Sequence, residues 1–150
     1  MKKIFFVMAM ICMAVLTSCS KDEEVGGQIG DVTLLYGTWD PVHSKGYEGA
    51  GSESYEEWDQ DMDVTSPDCW LDRLVISEDV FSFCYYSNGN WVTGESFRDW
   101  RVDNGYLYLD AAEVEELTSF KIVSLTANEL VIEDSDTGYY EQVTYRKVSE

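Results

Sequence analysis

The sequence predicts an all-β domain, an antiparallel up-and-down meander barrel of eight to nine short strands. Three observations predict it. From Asp72 onward apolar and polar residues alternate with the period of two that a half-buried strand requires. Turn residues separate the alternating runs at short intervals, as Asn88-Gly89, Asn104-Gly105 and Thr137-Gly138, and Asn-Gly is the strongest short hairpin signal. No long helical pattern interrupts them. Sequential hairpins make a meander, and closing it removes its exposed edges. An immunoglobulin-like sandwich is the alternative. It needs longer crossovers, and only one long connection is present, at residues 45–68.

In chain order, residues 33–43 form the first strand, with Pro41 marking an edge or a bulge. Residues 45–68 read as a long acidic loop. It holds Glu48, Glu53, Glu56, Glu57, Asp59, Asp61, Asp63 and Asp68, with no basic residue after Lys45. A connection this long in a compact domain is functional or partly helical, and 53–62 suit a short helix. Strands follow at 71–77, 80–86, 91–98, 100–102, 106–110, 117–125, 130–134 and 139–148. Residues 111–116 form a turn or one helical turn. In 80–86, Phe81, Phe83 and Tyr85 share one face, and Ser82, Cys84 and Tyr86 the other.

Ahead of these strands stands an address. Met1-Lys2-Lys3 is basic, residues 4–16 carry no charge, and the small Thr17 and Ser18 precede Cys19. The apolar run of 13 residues is short of the roughly 20 that span a membrane, so it reads as a signal peptide over 1–18. Residues 19–32 are a flexible acidic tether, and 33–150 one barrel domain. Removing 1–18 takes Lys2 and Lys3 away and moves the net charge from −19 to about −21. Such acidity excludes nucleic acid as a partner and excludes electrostatic binding to anionic lipid. The 21 aromatic residues are enough for a real core and argue against disorder. Of four cysteines, Cys12 leaves with the signal. Cys69 and Cys84 would meet an oxidising compartment, where a disulfide is permitted. With a tight hairpin at Glu78-Asp79, Cys84 faces Arg73, and Cys69 would have to fold back from a loop. The residues leave the bond open.

Leu16-Thr17-Ser18-Cys19 resembles a bacterial lipobox. The resemblance implies cleavage before Cys19, acyl chains such as palmitate on Cys19 as the lipid anchor, and membrane attachment through them. Ser20-Lys21-Asp22-Glu23-Glu24 resembles the surface-export signal of Bacteroidota lipoproteins. It implies the outer membrane, with the cell surface favoured over a periplasm-facing anchor. Gly37-Thr38-Trp39 resembles the Gly-x-Trp that opens lipocalin barrels. Leu74-Val75-Ile76, Asp99-Trp100-Arg101-Val102-Asp103-Asn104-Gly105-Tyr106-Leu107 and Thr144-Tyr145-Arg146-Lys147-Val148 extend the likeness to the lipocalin-like lipoproteins of Bacteroidota. It implies that Trp39 plugs one barrel end beside Gly37, that Arg146 packs over its indole, and that 45–68 lies over the mouth. The acidic 45–68 segment and Cys84 inside a strand depart from the pattern.

Chemistry-bearing clusters are few. His43 is the single histidine, so any Ser-His-Asp or Cys-His arrangement must use it. No nucleophile motif accompanies it, and it reads as a surface or loop histidine. Asp59-Gln60-Asp61-Met62-Asp63 spaces carboxylates like a calcium loop, but Val64 and Trp70 occupy the positions that need Gly and Glu. No catalytic residue, metal or cofactor is expected, and no enzyme activity. Phe83, Tyr85, Trp91, Phe97, Trp100 and Trp58 are the candidates to line a ligand cavity. The first reading is therefore a lipoprotein whose barrel binds a small apolar or amphipathic ligand. The second is an envelope module with a packed barrel that meets a protein or glycan through the aromatics of the acidic loop. A purely structural envelope lipoprotein is the third.

Overall fold

The computed structural model describes residues 29–110 and 118–148. The expected signal peptide with Leu16, Thr17, Ser18 and Cys19, the expected tether as far as residue 28, and the turn or helical turn expected at 111–116 lie outside them. A single 3-10 turn, Val32–Leu35, opens the domain, capped by Asp31, whose carboxylate accepts from the Thr33 amide at 2.9 Å. Ten strands follow: β1 Gly37–Glu48, β2 Glu56–Asp61, β3 Arg73–Ile76, β4 Phe81–Ser87, β5 Asn90–Phe97, β6 Asp99–Asp103, β7 Tyr106–Asp110, β8 Thr118–Leu125, β9 Glu129–Asp136 and β10 Tyr139–Lys147. All pairings are antiparallel.

Nine strands run in the order β5-β4-β3-β1-β10-β9-β8-β7-β6, and β2 pairs β1 off this path. The meander is a nearly closed barrel. Its free edges, β5 and β6, are separated in sequence only by Arg98, and Trp100 at the start of β6 reaches across. Its indole N–H donates to the Ser77 carbonyl at 3.1 Å, and its ring lies 6.3 Å from Phe81. The two Asn-Gly turns have positive φ at both central residues, Asn88 and Gly89, Asn104 and Gly105, as type I′ hairpins require. Pro41 sits at a register shift in β1, so it marks a bulge.

The segment 45–68 is not one continuous loop, and 53–62 is not a helix: strand covers 45–48 and 56–61, with turns and irregular chain at 49–55 and 62–68. β1 continues to Glu48, and β2 turns back along it from His43 to Glu48. β3 covers the same edge of β1 only from Gly37 to Trp39, so the bulge at Pro41 leaves the rest of that edge for β2. The pairing supplies β2 with the backbone partners a helix would have made internally. Four of its six residues are Glu or Asp, and a charged free edge resists pairing with another chain.

The core fills the end of the barrel around Trp39. Trp39, Leu35, Leu74, Phe81, Leu107, Leu109, Ile122 and Leu130 have no exposed surface. The Trp39 indole N–H donates to the Leu35 carbonyl at 2.8 Å. Gly37 has φ +133°, and the Lys147 side chain lies over it, so the first position of Gly-x-Trp is glycine for backbone reasons. The cation over the indole is Lys147, at 4.8 Å from the ring centroid and donating to the Leu34 carbonyl at 3.0 Å. It is not Arg146. Trp39 and Lys147 are cross-strand partners, and one residue along the strand turns Arg146 to the exposed face. Lys147→Ala is therefore expected to cost about 1–2 kcal/mol in urea unfolding, and Arg146→Ala less than about 0.5 kcal/mol.

Candidate functional site

Away from Trp39 the interior changes character along β10. Its inward side chains run Lys147, Tyr145, Val143, Glu141 and Tyr139, so apolar packing gives way to polar groups within one strand. Glu141 is 9% exposed. Its carboxylate accepts from Ser44 Oγ at 2.8 Å, from Tyr139 OH at 2.8 Å and from Trp70 Nε1 at 3.3 Å. Ser44 in turn accepts from Trp58 Nε1 at 2.8 Å. The Trp58 ring packs against Trp70 and Tyr139, with centroids 6.5 and 6.3 Å away. Gly46 makes room for this. A Cβ there would run into the Tyr140 carbonyl and come within 2.7 Å of the Trp58 ring.

Next to Glu141 lies a partly open cavity of about 200 Å³. Phe83 of β4, Phe120 of β8, Ile132 of β9 and Val143 of β10 form its apolar wall. Its polar lining is Asp72, Asp134, Glu141, Tyr145 and the edge of Trp70. The ion pairs among the described residues include His43 with Asp59 and Asp61, Arg73 with Asp40, and Lys121 with Glu133, and none of these holds a cavity carboxylate. Burial pushes the carboxyl of Asp72 above its ordinary value, with Glu95 adding to the rise. Burial does the same for Asp134, helped by Glu141 and Asp136 and opposed by a hydrogen bond from the Ser135 amide. Burial is also the first cause that raises Tyr139 and Tyr145, and Glu141 raises both further.

An acid raised in the folded state binds its proton there before it does in the unfolded chain. Stability then increases as the pH falls from neutral toward the ordinary aspartate range. Thermal melts are expected to shift upward as the pH is lowered from neutral toward the ordinary aspartate range, and Asp134→Asn to flatten part of that slope.

Of the aromatics expected to line a cavity, Phe83 does so. Trp58 stands behind the wall, holding Ser44. Phe97 backs Phe83 at 6.0 Å. Trp100 is the latch between β6 and the Ser77 turn. Trp91 lies flat under the Arg73 guanidinium, 3.4 Å from its centroid, while Arg73 holds Asp40. Tyr85 is 47% exposed. Cys69 and Cys84 are free thiols, not a disulfide. Cys84 is opposite Arg73 in register and approaches Thr93, on the face of β4 away from Phe83. Cys69 lies near Tyr145 and points its thiol at the Leu71 carbonyl. The sheet separates them. His43 lies within β1, not in a loop, with Asp59 at 3.2 Å and Asp61 at 3.1 Å. The alternate carboxylates of the calcium-like run thus grip a histidine.

The polar half of the site was missed. Glu141 is one acid among 29, and only its inward position on β10, two residues before Val143, sets it apart. No family model matches the chain, and no curated protein matches it. Among solved structures the chain is similar to a lipocalin-like protein from Bacteroides uniformis, with 14% sequence identity and a TM-score of 0.45, over 77% of this chain and 99% of that one.

Proposed function

We propose that this chain is a membrane-anchored lipoprotein whose barrel binds a small apolar or amphipathic ligand and performs no reaction on it. The observation that carries binding is the cavity at the Glu141 end, beside a Trp39 end packed without exposed surface. Its volume, about 200 Å³, sets the scale of the ligand. A cavity of about 150 Å³ holds benzene, whereas pockets for drug-sized molecules run from about 300 Å³ upward. The ligand is then one ring with a short arm. Desolvation against Phe83, Phe120, Ile132 and Val143 drives it in, and Trp70 stands at the rim. His43, the one histidine, is not among the cavity residues and is held by two exposed carboxylates, which supports a binding role over a catalytic one.

The test is an amide chemical-shift titration of residues 19–150 carrying Cys19→Ser, with single-ring compounds. That span contains the whole core. Shifts confined to Phe83, Ile132, Val143 and Tyr145 support the pocket, and their absence across a varied set overturns it. The second reading, a surface module for a protein or glycan, draws on a row of rings on the β1–β2 ribbon. Tyr47 lies 6.1 Å from Tyr55 and 5.8 Å from Tyr140, and Tyr55 is 50% exposed. Oligosaccharide shifts at Tyr47 and Tyr55 would favour it. The anchor rests on Leu16-Thr17-Ser18-Cys19. In detergent phase separation the native chain should enter the detergent phase and Cys19→Ser the aqueous one. Protease treatment of intact cells then distinguishes a surface anchor in the outer membrane from a periplasm-facing one.

A further inference from the structure

We propose that the ligand of this cavity is cationic, a primary or secondary ammonium on a short arm from a single ring. The inference deepens the pocket reading and rests on it. Asp72, Asp134 and Glu141 line one cavity, and no basic side chain lines it with them. Carboxylates drawn out of water lose hydration, and Asp134 also feels the charge of Glu141; a cation in the cavity relieves both costs.

Tyr145 points to the same occupant independently. It is 3% exposed and lines the cavity, yet its hydroxyl has no hydrogen-bond partner among the described residues. Every fully enclosed side-chain nitrogen or oxygen among those residues is satisfied, so this hydroxyl opens onto the cavity. Glu141 and Asp72 both act on it electrostatically, which places it beside them. An ammonium carries three donors and no acceptor. Carboxylate and phenol oxygens here supply acceptors, and aromatic faces beside them favour a cation further. A bare metal ion does not suit the same lining, because no three His, Cys, Asp or Glu side chains among the described residues converge on one point. The apolar wall opposite asks for an organic body behind the charge.

The experiment is calorimetric titration of residues 19–150 carrying Cys19→Ser with three probes of one shape: 2-phenylethylamine, 2-phenylethanol and 3-phenylpropionate. The ammonium is expected to bind about 10- to 100-fold more tightly than the alcohol, the span a charge-assisted hydrogen bond supplies. The anion should not bind, and added salt should weaken the ammonium alone. Glu141→Gln and Asp72→Asn should each lower ammonium affinity by more than they change the alcohol's, and so erase most of the preference. Tyr145→Phe keeps the packing and should lower ammonium affinity several-fold. Thermal melts of each variant show that it folds, and Asp72→Asn, in a less buried position, stands in where Glu141→Gln does not. Equal binding of amine and alcohol in the pocket overturns the cationic ligand and leaves the pocket intact. Binding of none of the three overturns both.

Discussion

Trp39→Ala is expected to remove about 3–5 kcal/mol from the stability of the barrel, the range for deleting a fully buried large aromatic. Trp39 has no exposed surface. It sits where β1, β3 and β10 meet, opposite Leu74 on one side and Lys147 on the other. The substitution removes the ring from the core, orphans the Leu35 carbonyl that its N–H satisfies at 2.8 Å, and leaves the Lys147 ammonium without its aromatic face. Domains of this size hold about 5–15 kcal/mol in all. The variant should therefore unfold at a much lower urea concentration with an unchanged slope. Trp39→Phe keeps most of the volume and should lose less than half as much.

The second large effect is expected at Gly46. It lies between Glu141 of β10 and Trp58 of β2 in register, and even a methyl group would collide with the Tyr140 carbonyl. Gly46→Ala must push β10 or β2 away, at a cost of about 1–3 kcal/mol. The effect should be specific as well as large. The Trp58–Ser44–Glu141 chain of hydrogen bonds depends on the close approach, so the indole N–H proton resonance of Trp58 should move while that of Trp39 stays. Gly51→Ala, with nothing within 4 Å of the added methyl but a φ of +85°, should cost only about 1 kcal/mol.

Hairpin order was legible because local rules carry it, and the packed Trp39 end because Gly37-Thr38-Trp39 resembles the opening of lipocalin barrels. Asn-Gly turns and two-residue alternation need no knowledge of distant contacts. The β1–β2 ribbon was not legible. Glu56 to Asp61 has one apolar residue, Trp58, so it shows neither strand nor helix period, and only the open edge of β1 beyond the Pro41 bulge makes it a strand. Lys147 and Arg146 differ by one residue, and the face a strand residue takes is set by register, which the Trp39–Lys147 pairing fixes. The cavity was half legible. Phe83 followed from alternation. Asp72, Asp134, Glu141 and Tyr145 come from three separate segments, and no spacing within the chain brings them together.

We propose a barrel that is solid at the Trp39 end and holds a small ligand at the Glu141 end. Native mass spectrometry of the chain purified from its own host, with the denatured mass as control, tests it most directly. A reproducible extra mass of one small molecule is expected, lost on denaturation, detected in positive charge once released, and missing from Glu141→Gln. A bare mass for the host-purified chain, unchanged when 2-phenylethylamine is added, would contradict it.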